Sequence, residues 1–361
     1  MGAKDLYVKI QQQLDDELPL VIYRKSRGES LNAFLQKNNT LYNVDDYSTS
    51  GFVFAPFDIS QKAVLIPESE SEYIAELITD DQPELRLENR KSLVDKIDNS
   101  IARQSHIELV EHSVNRIRSG DMKKVVVSRK EEISLPISDD VLLTFKRLLN
   151  NYSNAFVYLW YHPKVGTWLG ATPETLLQIK NQEIFTMALA GTQIFEEGID
   201  VVWKEKEKEE QRLVTEFIVK ELTAISDNIT TSETYTHRAG TLLHLRTDIK
   251  ATINLENSKI EEVIKTLHPT PAVCGLPKSE AKTFILNQEG YDRKFYTGFL
   301  GELNLKRDKK LISNLFVNLR CMELEANKAN LYIGGGITKD SIPEKEWEET
   351  VKKTETIKRV L

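Results

Sequence analysis

AFVYLWYHPKVGTWLGATPETLLQIKNQEIFTMALAGT, residues 155–192, decides the fold class. Three apolar runs inside it, AFVYLWYH, TWLGAT and EIFTMALAGT, read as buried or half-buried strands that follow one another with no helical spacing between them. The same signature recurs outward from this stretch, in KKVVVS (123–128), SNLFVNLRCMEL (313–324) and NLYIGGGI (330–337). Helical spacing separates the groups, around 204–225, 259–266, 279–288 and 344–358. Strands thus come in meander-like groups, without strict βαβ alternation, and the expected fold is α+β with large antiparallel sheets, not a doubly wound parallel sheet. Toward the N-terminus, residues 1–100 carry the shorter strand-like runs LVIYR, GFVFAPF and KAVLIP among polar turns, and helical spacing extends from about Glu84 to Ser119.

Composition narrows the function classes. Hydrophobic residues make up 40% and charged residues 29% of the 361, a globular balance that argues against disorder. With 48 Lys+Arg against 55 Asp+Glu the net charge is -7, so no cationic excess is available for a phosphate backbone and nucleic acid is not an expected partner. The opening MGAKDLYVKIQQQLDDELPLVIYRK has no uninterrupted apolar region like that of a signal peptide, and no stretch approaches the ~20 apolar residues that cross a bilayer. A cytoplasmic protein without membrane attachment is expected. The two cysteines, Cys274 and Cys321, belong to no C-x-x-C pair, so neither a disulfide framework nor a thiolate metal site is indicated.

Several clusters of polar residues have spacings that suit chemistry. In WKEKEKEEQRLVTEFIVKEL (203–222), a helix over 205–222 places Leu213, Val214, Phe217 and Ile218 on an apolar stripe, with Glu210 one turn before the first two. Glu210 therefore points toward the core edge, while Glu205, Glu207 and Lys208 read as a solvated face. A second helix opens at SIPEKEWEETVKK (341–353), where Ser341 and Glu344 have capping-box spacing and Pro343 suits the first turn. Glu346, Glu349 and Lys353 share one of its faces, either as a surface ion-pair row or as oxygen ligands of a hard divalent ion. Gly334, Gly335 and Gly336 come at the end of a strand run, where missing side chains would let backbone amides approach a carboxylate or would simply make a turn. Arg320, at the end of LFVNLR, needs an anionic partner, fixed or bound. His244 reads as structural or as lining a site, and Lys124, entering VVVS, as snorkelling or held desolvated for a purpose.

Taken in order, these segments resemble the chorismate-utilising enzymes, the family of isochorismate, salicylate, anthranilate and aminodeoxychorismate synthases. The resemblance spans roughly Glu111 to the C-terminus. It rests on KVVVSR (124–129), GATPETLL (170–177), ALAGT (188–192), EEQRLV (209–214), HLRTDIKA (244–251), LHPTPAVCGLPK (267–278), YTGFLG (296–301), FVNLRC (316–321), YIGGGIT (332–338) and PEKEWEETVKK (343–353). It implies one large α+β domain with two facing antiparallel sheets and helices outside, in which residues 1–100 form a variable N-terminal part and 101–361 the catalytic region. By the same resemblance Glu210 and Glu349 hold Mg²⁺, with Glu346 as a further ligand or supporting residue. Glu174 is the general acid that protonates the departing 4-hydroxyl of chorismate, and Lys124 the base that activates water for attack at C2. Arg320, Tyr296 and the amides around Gly334 and Gly335 match positions that hold the enolpyruvyl carboxylate. Gly191, Thr192 and Lys353 lie near the ring carboxylate, His244 lines the ring, and Thr270 belongs to the same substrate-binding set.

Ammonia-using relatives carry glutamine where this chain has Lys124. The resemblance therefore implies an isochorismate synthase, with salicylate synthase as the nearest alternative and an amination subunit behind it. A monomer without a glutamine amidotransferase subunit is expected, and supply of menaquinone is preferred to supply of a siderophore as the more general use. Two positions depart from the family pattern: Gln211 beside the metal ligand, and Gln193 after AGT.

Overall fold

The computed structural model describes residues 3–78, 100–135, 140–195, 197, 201–226, 228–239, 242–253 and 260–361. Alternation along Leu20–Arg24 shows the layering: Leu20 and Ile22 face helices, while Val21 and Tyr23 face a second sheet. Among the described residues one sheet has nine strands, in spatial order Gly275–Leu276, Lys124–Ser134, Lys328–Ile337, Cys321–Glu325, Gly166–Thr172, Phe156–His162, Leu20–Arg24, Ser30–Gln36 and Ser71–Leu77. The other has ten: Asn228–Thr231, Leu242–Thr252, Glu183–Ile194, Thr175–Lys180, Lys310–Val317, Phe299–Arg307, Gly51–Ala55, Val64–Pro67 and Tyr42–Asn43, with Tyr235–Ala239 also pairing with Leu242–Thr252. Neighbouring strands pair antiparallel, for example Leu159 opposite Leu169 and Gly334 opposite Ser128. The α+β class with two large antiparallel sheets is as expected.

An aromatic layer joins the inner faces. Tyr23, Phe34, Phe156, Tyr158, Trp160, Trp168 and Tyr332 from the first sheet pack with Phe52, Phe54, Leu300 and Phe316 from the second. Residues 20–77 supply strands to both sheets, so the sequence segment with the least recognisable chemistry forms part of the central layer.

Helices cover the outer faces. Ala3–Asp15 and Val141–Asn151 bury Leu6, Ile10, Phe145 and Leu148 on the nine-stranded sheet. Glu205–Thr223 and Ile260–Leu267 bury Val214, Ile218, Val263 and Leu267 on the ten-stranded one. Ser100–Arg118 and Lys278–Gln288 close over Val125, Val127 and Ile337. Pro343–Lys358 lies along Lys328–Ile337.

Three local expectations need correction. SNLFVNLRCMEL is not one strand: Lys310–Val317 belongs to the ten-stranded sheet and Cys321–Glu325 to the nine-stranded one. Ser341 does not cap the last helix. Ile342 holds the N-cap position, and the Ser341 hydroxyl accepts from the Thr338 amide at 3.1 Å, which steers the chain into the helix from one residue further back. The helix read from Glu84 to Ser119 is described as Ser100–Arg118, and residues 84–99 lie outside the described residues.

Candidate active site

A cleft opens where the chain passes from one sheet to the other. Gly166–Thr172 and Thr175–Lys180 lie in different sheets, with Pro173 and Glu174 between them. Antiparallel to this, Lys310–Val317 and Cys321–Glu325 make the reverse passage through Asn318, Leu319 and Arg320. The two crossings are stitched together: the Val317 amide donates to Glu174 O at 3.0 Å, Ala171 donates to Arg320 O at 3.2 Å, and Thr172 Oγ1 donates to Val317 O at 2.6 Å. Arg320 sits at φ 47°, a left-handed conformation that a side chain adopts only when its surroundings fix it. An acid and a guanidinium are thus brought side by side at a break between sheets, where neither is needed to complete a ladder.

Both groups carry the marks of burial. The Glu174 carboxyl is 3% exposed, and burial pushes it up to about 8 despite the opposing pull of Lys124 and Arg320. Burial also lowers Arg320, to about 10. Its guanidinium donates to His244 Nε2 at 2.9 Å, which leaves His244 Nδ1 to donate to Gly191 O at 2.9 Å. Burial and the neighbouring Arg320 depress His244 to about 3, so the imidazole is neutral across the working range. Gly191, at φ 67°, is pressed against the Glu205–Thr223 helix: a Cβ there would lie 3.0 Å from Glu207 Cβ.

The opposite wall is the glycine strand. Gly334–Gly336 remain in ladder register with Ser128–Val126, so they are neither a turn nor a bulge. Their missing side chains are filled by other groups. A Cβ at Gly334 would meet the Tyr296 hydroxyl at 2.8 Å, and one at Gly336 would meet Glu210 Oε1 at 2.4 Å and Lys124 Cε at 3.2 Å. Lys124 is fully buried, with its ammonium 2.8 Å from Glu210 Oε1. Of the two readings of Lys124 in sequence, snorkelling or held desolvated, the structure has the second, and its neighbour is an anion.

Two helices bring the remaining charges. From Glu205–Thr223 come Lys206, Glu207 and Glu210, and from Pro343–Lys358 come Glu346, Glu349 and Lys353. Arg129 docks the second helix, donating to Thr350 Oγ1 at 2.8 Å and Thr354 Oγ1 at 3.0 Å and lying 4.6 Å from the centre of the Trp347 ring. Lys206 Nζ lies 2.6 Å from Glu346 Oε1, and Lys353 bridges Glu349 Oε1 at 2.7 Å and Gly334 O at 3.0 Å. Burial raises the Glu346 carboxyl, and nearby Glu349 adds to this against the pull of Lys206. For Glu210 burial is the largest influence, yet Lys124, Lys206 and Lys353 together outweigh it and hold the carboxyl below its ordinary range.

Of the residues singled out in sequence, Glu174, Gly191, Thr192, Glu210, His244, Tyr296, Arg320, Gly334, Gly335, Glu349 and Lys353 line this cleft. Lys124 and Glu346 stand behind the lining, each paired with a residue that belongs to it. Thr270 is buried outside the lining, though Ala272 and Val273 of the same turn belong to it. Gln211 points away: its amide donates to Ala188 O at 3.0 Å and Thr247 Oγ1 at 3.1 Å, tying the helix to the sheet. Gln193 donates to Val202 O at 3.0 Å. Glu207, read as solvated, lines the cleft, as does Lys206, which sequence reasoning passed over. The available signal was its place four residues before Glu210, on the same helical face.

Residues 57–361 match the family described as Chorismate binding enzyme. Over 266 residues the chain is 30% identical to isochorismate synthase MenF of Escherichia coli, covering 70% of this chain and 59% of that protein. Over 267 residues it is 29% identical to isochorismate synthase DhbC of Bacillus subtilis, covering 70% of this chain and 66% of the other. The chain thus spans about three fifths to two thirds of the length of these relatives. The solved structure of MenF, the menaquinone-specific isochorismate synthase of Escherichia coli, superposes with TM-score 0.76 at 21% identity, covering 95% of this chain and 88% of that one. No described helix is long and apolar enough to cross a membrane. On the family match, which takes in five of every six residues, the chain belongs to the chorismate-binding enzymes.

Proposed function

We propose that this protein is an isochorismate synthase, adding water at C2 of chorismate with loss of the C4 hydroxyl. The observation that carries the reading is the pairing of a buried lysine with a buried, proton-retaining glutamate at one cleft. Glu174, pushed up to about 8, keeps its proton at neutral pH and can give it to a departing hydroxyl. Lys124, just behind the other wall, is close enough to influence Glu174 and, as the neutral amine, takes the proton from the attacking water. Arg320, with its side chain oriented by the neutral His244, is the group for the enolpyruvyl carboxylate, and Tyr296 lies beside it at Gly334.

The charge balance supports a bound cation. With Glu174 protonated, the cleft lining sets three carboxylates, Glu207, Glu210 and Glu349, against the three cations Lys206, Lys353 and Arg320, so a dianionic substrate leaves it net negative. Among the described residues no three His, Cys, Asp or Glu side chains converge into a ready metal shell. The donor set suits a hard ion that takes part of its shell from substrate and water: Glu210 and Glu349, with Glu346 behind them and the Lys206 ammonium lying among all three. Glu210 and Glu349 would hold Mg²⁺ there, and it would supply positive charge for the ring carboxylate. The solved relative from Escherichia coli is named menaquinone-specific, and we favour supply of menaquinone over supply of a siderophore.

Incubation with chorismate and Mg²⁺, followed by chromatography, tests the reading. Isochorismate is the expected product. Salicylate with pyruvate would point instead to a salicylate synthase, an aminated product formed with ammonium would point to an amination subunit, and full turnover in excess chelator would remove the metal.

A further inference from the structure

Beneath the cleft, and outside it, lies a guanidinium with no part in the chemistry above. Arg293 and Glu289 form an ion pair whose side chains are 2% and 1% exposed. All five N–H groups of Arg293 have an acceptor. Nε and Nη2 donate to Glu289, Nη1 donates to Val273 O at 3.0 Å and Thr297 Oγ1 at 3.1 Å, and Nη2 also donates to Val126 O at 2.7 Å. Val126, Val273 and Thr297 all line the cleft and come from three separate segments. Glu289 in turn accepts from the Ser128 amide at 2.7 Å and its hydroxyl at 3.0 Å.

These contacts bracket Lys124. Its strand is held on one side by the glycine strand, through the Val126–Gly336 and Ser128–Gly334 pairs, and on the other by Gly275–Leu276, which pairs with Val125 and Lys124. Arg293 fixes a carbonyl on the lysine's own strand and another just before the edge strand. A buried ion pair adds little net stability over apolar packing of the same volume, so its use here lies in where its donors are fixed. We propose that Arg293, oriented by Glu289, is a positioning residue: it sets the register of the cleft wall that aims the Lys124 side chain, a base only as the neutral amine, at the water to be deprotonated. This rests on the reading of Lys124 as the base.

Arg293→Lys keeps the charge but offers a point ammonium with three donors, which cannot span three segments. Assayed with chorismate and Mg²⁺ well below its melting temperature, R293K should lose ~10- to 100-fold in kcat with KM within about twofold, because a small misplacement of a reacting group costs that much. The double variant K124A/R293K should be no slower than K124A alone, since both changes act through one amine. Native kcat in R293K, a loss confined to KM, or multiplicative losses in the double variant would overturn the proposal. Should R293K not fold, Ser128→Ala decides: it removes one hydroxyl from the Glu289 link and leaves the ion pair whole, and a native kcat there counts against the proposal. K124A alone with near-native kcat would retire the reading of Lys124, a separate outcome.

Discussion

Glu174 draws its proposed role from where it stands, between two strands of different sheets and away from solvent. A glutamate titrating ordinarily near 4.5 in the unfolded chain and near 8 in the fold retains a proton across that window that the unfolded state has released. Stability from this group therefore falls as pH rises from about 4.5 to about 8, and levels off beyond. Glu174→Gln removes the titration, so its melting temperature should gain on that of the native protein through that window and run parallel above it. A pH-independent gap would show that Glu174 titrates as an exposed acid does. In the assay, native kcat/KM should decline above about pH 8 as the proton donor is lost, and E174Q should lose about 10²–10⁴-fold in kcat. Glu210 stood out in sequence because helical spacing sets it against an apolar stripe, and Glu349 because it shares a helix face with Glu346 and Lys353. Lys206 did not, because within KEKEKEE (204–210) every residue is charged and no apolar residue marks which turn faces inward.

At the scale of elements, the glycine strand works by what it lacks. A Cβ on Gly336 would fall 2.4 Å from Glu210 Oε1 and 3.2 Å from Lys124 Cε, inside contact distance of a carboxylate and of the stem of the base. Gly336→Ala should displace both, lowering kcat by ~10²-fold or more, as misplacing a reacting group does, while the protein still folds. Gly290→Ala is the control, a strained site at φ 73° with nothing within 4 Å of the added carbon. It should cost about 1 kcal/mol of stability, read from denaturant unfolding, and leave turnover unchanged. Equal activity in both variants would mean that the space above Gly336 is not used. The strands themselves were legible from apolar runs, and the four helices read from Trp203 onward end within two residues of where they were placed. The crossings at Glu174 and Arg320 were not: Pro173 and Asn318 mark a break in each run, but nothing in either run says that the strand beyond it joins the other sheet.

For the whole molecule, the question is what residues 20–77 contribute, since they carry none of the proposed chemistry. Leu20–Arg24 pairs with Phe156–His162 in one sheet, and Gly51–Ala55 with Phe299–Leu303 in the other. Between the sheets Phe54 stacks on Phe295 at 4.1 Å and Tyr23 on Phe156 at 5.4 Å, while Glu302 accepts the Tyr23 hydroxyl at 2.6 Å. Removing this segment would bare the edge of Phe156–His162, leave Glu302 buried without that partner, and open the aromatic layer on which Tyr332, and with it Tyr296 at the cleft, is stacked. Each fully buried aromatic or aliphatic side chain contributes about 1.5–3 kcal/mol, and the segment supplies Tyr23, Phe34, Phe52 and Phe54 among others, against a total stability of about 5–15 kcal/mol. A chain beginning at Ser100, though it keeps all the proposed catalytic and metal-binding residues, should therefore fail to fold: no cooperative thermal transition, no near-ultraviolet circular dichroism, and no chorismate turnover. A sharp melt with activity from that fragment would show that the sheets close without their first strands, and that the segment is an appendage and not part of the core.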